Sequence, residues 1–297
     1  MFRGLLSLLI LANLSAGVMV SNSLTTESFD PVDLLDVNRI PVKDYGALQP
    51  KVDAEAVLAM DLDTGLVLFE KNAYRQMPMA SLTKIMAAIL ILESHDMDEI
   101  VTVADNYGAL GEDELGVKIW LQKGEQLTVR DLLTALLIRS AGDAVYALAV
   151  YHSGSVEAFV DEMNKRAQTL NLKNTHFVNP VGVDAENHYS TAYDLAILTK
   201  HALRNPIFRR VIKIKEANIT SINGRTTHSF KNTNLLLNSY LDIQGVKTGT
   251  TEGAGESVIN LARSDDGHEI ISVLLNSSER FQENKSVIDW VFRSYEW

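Results

Sequence analysis

Three short strings, far apart in the chain, constrain its fold more than any other feature: Ser81-Leu82-Thr83-Lys84, Ser140-Ala141-Gly142 and Lys247-Thr248-Gly249. Each carries part of an acyl-transfer site with serine as nucleophile and lysine, not histidine, as base. A fold that uses them together must bring three distant segments to one place. Alone, the first string is weak, since a chain of this length shows about one S-x-x-K by chance. A chance K-[ST]-G is rarer, and the order and context of the three raise the joint signal.

Residues three apart on a helix share a face, so Ser81 Oγ and Lys84 Nζ can meet. A serine hydroxyl attacks only when a neighbour takes its proton. Lysine does this if its pKa is lowered, by burial among residues such as Ile85 and Met86 or by a nearby positive charge, for which Lys247 is the candidate. Ser81 sits in the first helical turn, where free backbone N–H groups favour an oxyanion. Lys247-Thr248-Gly249-Thr250 follows Ile243-Gln244-Gly245-Val246 on or at the end of a strand. Lys247 and the threonine hydroxyls suit a substrate carboxylate, and Gly249 lets a substrate main chain lie close. The Thr250 N–H is the candidate second oxyanion donor. Ser140 fits a proton relay towards a leaving group and, equally, a plain cap on the next helix.

The chain has 297 residues, 46% hydrophobic and 22% charged, a globular balance with ample length for a core. Lys+Arg number 27 against 38 Asp+Glu, a net charge of −11, and no basic run argues for a nucleic-acid partner. There is no cysteine, which excludes disulfides and thiol catalysis. The seven histidines, His95, His152, His176, His188, His201, His228 and His268, are scattered and read as structural or surface. No spacing suggests a metal site, and a side-chain nucleophile needs no cofactor.

Met1-Phe2-Arg3 is short and positive, and Gly4 to Val20 is almost wholly apolar. Residues 1–21 therefore read as a signal peptide or an N-terminal membrane anchor. Residues 22–50 read as a tether and 51–297 as the folded domain. Two apolar runs around Asp61-Leu62-Asp63-Thr64-Gly65 predict a β-hairpin. Ser81 to Ser94 predicts a helix with Ile85, Met86, Ile89 and Leu92 on one face. Helical character then dominates to about residue 205, with capping boxes at Thr128/Asp131 and Thr191/Asp194. Leu241–Thr250, Ser257–Arg263 and Glu269–Asn276 read as strands, and Phe281–Tyr295 as an amphipathic helix. That helix's apolar stripe suits core packing better than a membrane. The expected fold is α/β: an antiparallel sheet flanked by helices, with a helical subdomain at about 85–205 inserted in sequence.

With these motifs in view, the chain resembles the serine-type D-Ala-D-Ala carboxypeptidases, the low-molecular-weight penicillin-binding proteins, with their β-lactamase/transpeptidase-like fold. The similarity runs from about Ala54 to the C-terminus. It takes in Gly124-Glu125-x-Leu127-Thr128-Val129-x-Asp131, Asn179-Pro180-x-Gly182-x-Asp184, His188 to Leu195, and Asn232-Thr233-Asn234. The resemblance implies that Ser81 forms an acyl-enzyme, Lys84 is its base, Ser140 assists proton transfer, and Lys247 with Thr248 holds the substrate's terminal carboxylate. It implies peptidoglycan stem peptides as substrate, with loss of the last D-alanine, β-lactams as acylating ligands, and an extracytoplasmic location. Any membrane contact would be made by the N-terminal segment, because the chain stops at Trp297 without room for the β-rich domain and amphipathic anchor of many members. One departure stands out: the second motif usually reads Ser-x-Asn, and here the third position is Gly142. Asp143 beside it is a partial substitute. A DD-endopeptidase acting on cross-links and a weakened wall-binding protein remain alternatives. A class A β-lactamase fits less well, because Glu186-Asn187-His188-Tyr189 lacks the E-x-x-L-N pattern.

Overall fold

The computed structural model describes residues 40–44, 46 and 48–297. The expected signal or anchor, and the tether up to residue 39, lie outside them. Among the described residues no helix is long and apolar enough to cross a membrane.

One five-stranded antiparallel sheet organises the domain. Its strands are β1 (Ala56–Asp61), β2 (Val67–Lys71), β3 (Asp242–Thr251), β4 (Gly255–Arg263) and β5 (Glu269–Ser277). The spatial order is β2-β1-β5-β4-β3, so the first hairpin joins the last three strands through β5. Val273 pairs with Leu58 across β5 and β1, and with Ile259 across β5 and β4. All six residues of β1 are buried. Alternate side chains leave a strand on opposite faces, and they enter different cores. Leu58 and Met60 join the larger one, under the helical layer. Val57 and Ala59 join the smaller one, under the C-terminal helix. A sheet covered on both faces explains strands apolar at consecutive positions.

The helices are α1 (Lys84–Ser94), α2 (Val129–Thr134), α3 (Gly142–Ser153), α4 (Val156–Thr169), α5 (Ala192–Ala202), α6 (Pro206–Val211) and α7 (Arg280–Ser294). Both threonines act as N-caps: Thr128 Oγ1 accepts from the Asp131 N–H at 3.1 Å, and Thr191 Oγ1 from the Asp194 N–H at 3.0 Å. The single apolar face expected on α1 is a different arrangement in the structure. Every residue from Ile85 to Ile91 is buried, because α3, α4 and α5 pack around this helix. On α7, Val287, Ile288 and Val291 are buried in the smaller core, so its stripe is a packing face.

Beside the short pair Val42–Lys43 with Tyr295–Glu296, two antiparallel strand pairs lie outside the strands expected from the sequence. Ile100–Thr102 pairs with Gln126–Thr128 inside the region expected to be helical, and Glu216–Thr220 pairs with Thr227–Lys231. Both are short and half polar, which hides them from periodicity. A buried amide chain ties the smaller core together. Asn234 Nδ2 donates to Asn260 Oδ1 at 2.7 Å, Asn260 Nδ2 to Asn284 Oδ1 at 2.8 Å, and Asn284 Nδ2 to Ser272 Oγ at 3.1 Å.

Candidate active site

Ser81 lies in a 3-10 turn, Ala80–Thr83, that runs directly into α1. Lys84 is the first residue of α1, and its Nζ donates to Ser81 Oγ at 2.9 Å and to Val181 O at 2.5 Å. Two glycines hold this turn from either side. A Cβ on Gly182 would stand 1.9 Å from Ala80 O, and one on Gly249 would stand 3.0 Å from Ser81 N. Gly249 thus makes room for the protein's own turn. Gly182 has φ +86 as well, and Asn179 shapes that bend by accepting from the Gly182 N–H at 2.6 Å. Gly182→Ala is therefore expected to push Ala80 and Ser81 and to slow adduct formation with benzylpenicillin at least about tenfold. An unchanged rate would show that the turn tolerates displacement.

Lys84 is buried, and burial lowers its pKa to about 7, with Asp143 acting in the opposite sense. Burial, rather than the positive charge of Lys247, is the cause. Lys247 is also buried, and its pKa is held well below the ordinary lysine value by burial first, then by Lys84 and Arg280. Its Nζ donates to Thr248 O at 3.0 Å. Neutral Lys84 is the proton-accepting form, and its fraction grows as pH passes upward through about 7. The acylation rate is expected to climb through that pH and then level off. A profile flat from about pH 5 to 9 would remove Lys84 as the base.

Ser140 has φ +69 and sits between a π-helical segment, Ala135–Arg139, and α3. The capping reading fails, because the N-cap of α3 is Ala141 and carries no side-chain bond. Ser140 Oγ is buried with no hydrogen-bond partner among the described residues. A buried hydroxyl in a left-handed residue is a strained feature of the kind kept at working sites.

A cleft of about 530 Å³ opens at Ser81 and Lys84. Thr250 lines it, as do Val181 to Asp184, Asp113, Gly116 and Val117. Lys247, Thr248 and Gly249 are buried within β3. Thr248 Oγ1 meets Thr233 Oγ1 at 2.7 Å, and the Thr233 N–H donates to Ile138 O at 3.0 Å. This links the third motif to the segment that delivers Ser140.

Two site residues stand outside the motifs. Arg280, at the start of α7, donates through Nη1 to Gly249 O at 2.9 Å and to Thr250 Oγ1 at 2.5 Å. A lone arginine after a strand gives no pattern by which to find it. His188, expected to be structural or surface, is buried and lies one bond from the S-x-x-K turn. Its Nδ1 accepts from the Val178 N–H at 3.0 Å, so Nε2 carries the proton and faces Thr83 Oγ1 at 2.8 Å. Burial, aided by His176, lowers its pKa to about 4, which keeps the ring neutral at neutral pH.

Gly142 is hemmed in by its surroundings. A Cβ there would stand 1.9 Å from Leu115 O, and its N–H donates to Val117 O at 2.7 Å. Asp143 is engaged with main chain, accepting from Ile119, Leu121 and Ala144, and acts on Lys84 only through its charge.

Residues 43–279 match the family described as D-alanyl-D-alanine carboxypeptidase, peptidase S11. The chain is 35% identical over 254 residues to D-alanyl-D-alanine carboxypeptidase DacF of Bacillus subtilis (strain 168), covering 82% of this chain and 63% of that protein. It is 37% identical over 258 residues to D-alanyl-D-alanine carboxypeptidase DacC of Escherichia coli (strain K12), covering 83% of this chain and 63% of that one. The chain thus spans under two thirds of the length of these curated relatives. Among solved structures, the Streptomyces K15 DD-transpeptidase superposes with a TM-score of 0.76 at 30% identity, covering 83% of this chain and 100% of that one.

Proposed function

The chain belongs to the peptidase S11 family of D-alanyl-D-alanine carboxypeptidases, and from that premise we propose that it is a serine DD-peptidase of cell-wall peptide. The observation that carries the reading is the 2.9 Å bond from a buried Lys84 Nζ to Ser81 Oγ. Neutral Lys84 takes the Ser81 proton as Oγ attacks the carbonyl carbon of the penultimate D-alanine. The carbonyl π pair moves onto oxygen, facing the backbone N–H groups of Ser81 and Thr250. Collapse of the tetrahedral intermediate breaks the C–N bond. The leaving D-alanine nitrogen takes a proton from Lys84, with the Ser140 hydroxyl as relay. Water then hydrolyses the seryl ester and restores Ser81.

The substrate's terminal carboxylate fits the end of β3. Lys247 and Thr248 belong to that end, and the Arg280 guanidinium beside Thr250 is the cation best suited to a carboxylate. The same site suits β-lactams, whose strained amide places a carboxylate and a carbonyl at similar separation. The basic and apolar N-terminal segment supports an extracytoplasmic site of action, released or anchored.

Intact mass after incubation of the protein with benzylpenicillin tests the reading. The expected result is a penicilloyl adduct on the natural protein and none on Ser81→Ala. An adduct retained by Ser81→Ala would remove Ser81 as nucleophile, and penicillin consumed with no adduct would indicate a β-lactamase. Muropeptide products then separate release of D-alanine from the opening of cross-links.

A further inference from the structure

Segment 115–121 borders the cleft through Gly116 and Val117, yet it belongs to none of the three motifs. It is gripped from two sides at one residue, Ile119. On the α3 side, the buried Asp143 carboxylate accepts from the Ile119 N–H at 3.1 Å and the Leu121 N–H at 3.0 Å. On the other side, His228, from the hairpin strand Thr227–Lys231, contacts Ile119 O through Nδ1 at 2.8 Å. Its Nε2 meets Glu125 Oε1 at 2.8 Å, and Glu125 Oε2 accepts from the Gln122 N–H at 3.1 Å. A carbonyl oxygen only accepts, so Nδ1 is the donor in the bond to Ile119 O. His228 and Glu125 are both buried, where a paired arrangement is strongly preferred over a broken one. The segment's base is closed by Lys118 Nζ, which donates to Gly108 O at 3.1 Å and Leu110 O at 2.5 Å. Its near face rests on Gly142, which has no side chain to push it away.

We propose that His228 is a positioning residue for the acylation site: with Asp143, it pins residues 115–121 as a main-chain strap that fills the volume beside Gly142 and walls the cleft, thereby selecting the acyl portion of the ligand. The inference rests on the serine-peptidase reading above and extends it to residues outside the motifs. His228 does not line the cleft; its action passes through Ile119 to Val117 and Gly116. With the terminal carboxylate assigned to the end of β3, Gly116 and Val117 are lining residues left for the rest of the ligand, so loosening the strap should weaken ligands with an acyl side chain more than ligands without one.

The test compares benzylpenicillin, which has an acyl side chain, with 6-aminopenicillanic acid, which has none. Acylation is followed by intact mass on the high-pH plateau, where titration of Lys84 no longer matters. His228→Gln keeps a donor for only one of the two partners. It is expected to weaken the binding term for benzylpenicillin about tenfold with little change in the limiting acylation rate, and to leave 6-aminopenicillanic acid within about threefold. Amide hydrogen exchange across residues 115–121 should quicken in the same variant. Asp143→Asn tests the same grip from the α3 side and stands in if His228→Gln fails to fold. No adduct on the natural protein with either probe overturns the serine-peptidase reading, and the inference with it. An adduct on the natural protein, with both variants slowed equally or not at all for the two probes, overturns the strap alone.

Discussion

Lys84→Met is expected to lower the rate of penicilloyl adduct formation about 10³- to 10⁴-fold while making the protein more stable. The first effect follows from removing the only proton acceptor described within bonding distance of Ser81 Oγ. The second follows from burial. Folding lowers the Lys84 pKa from 10.5 to about 7. Between those values the unfolded chain binds more protons than the folded one, so stability rises with pH across that window. The penalty is complete below about pH 7 and absent above 10.5. At about 1.4 kcal/mol per pKa unit, it amounts to about 4 kcal/mol near neutrality. Methionine has a similar volume and no charge, but it leaves Val181 O without its donor, which returns about 1–3 kcal/mol. The net gain is about 1–3 kcal/mol, or several degrees in Tm at about 2–4 °C per kcal/mol. A thermal melt at pH 7 beside one at pH 10 reads this directly. A variant less stable than the natural protein at both pH values would show that Lys84 is not a buried burden.

Gly142→Asn, which writes the commoner residue into the second motif, is expected to damage the site rather than repair it. The new Cβ would stand 1.9 Å from Leu115 O, a main-chain atom that cannot rotate aside. Either α3 or the strap must move. Overpacking of this kind costs about 1–3 kcal/mol. Displacement of the strap by about 1 Å would cost acylation about 10²-fold. Acylation kinetics and a melt on the same sample check both. Faster acylation by the variant would mean that the strap is readily displaced and that the glycine is a simple loss of function.

Much of this site is legible in the sequence alone. Ser81 and Lys84 are three apart on one turn, and the strand character around Lys247 is written in β-branched residues. The hairpin at Asp61–Gly65 and the capping threonines are equally plain. What escapes has physical causes. Arg280 belongs to the site because α7 begins just after β5, from where its side chain reaches the end of β3 two strands away, a relation of the fold and not of spacing. His188 and His228 work through hydrogen bonds from segments too short or irregular to show a periodicity. The hairpin strand carrying His228 alternates buried and exposed residues over only five positions, too few to separate from loop. Gly142 is visible as a departure, but its meaning depends on Leu115, 27 positions away.

A wall made of peptide groups differs in kind from a wall made of a carboxamide side chain. An asparagine can flip, offering its oxygen or its nitrogen to whatever ligand arrives. Peptide groups gripped at both ends cannot exchange donor for acceptor. Beside Gly142 this protein therefore presents a surface of fixed polarity, with Leu115 O and Val117 O turned towards position 142 itself. A ligand amide therefore finds no carboxamide at position 142 that could turn to suit it.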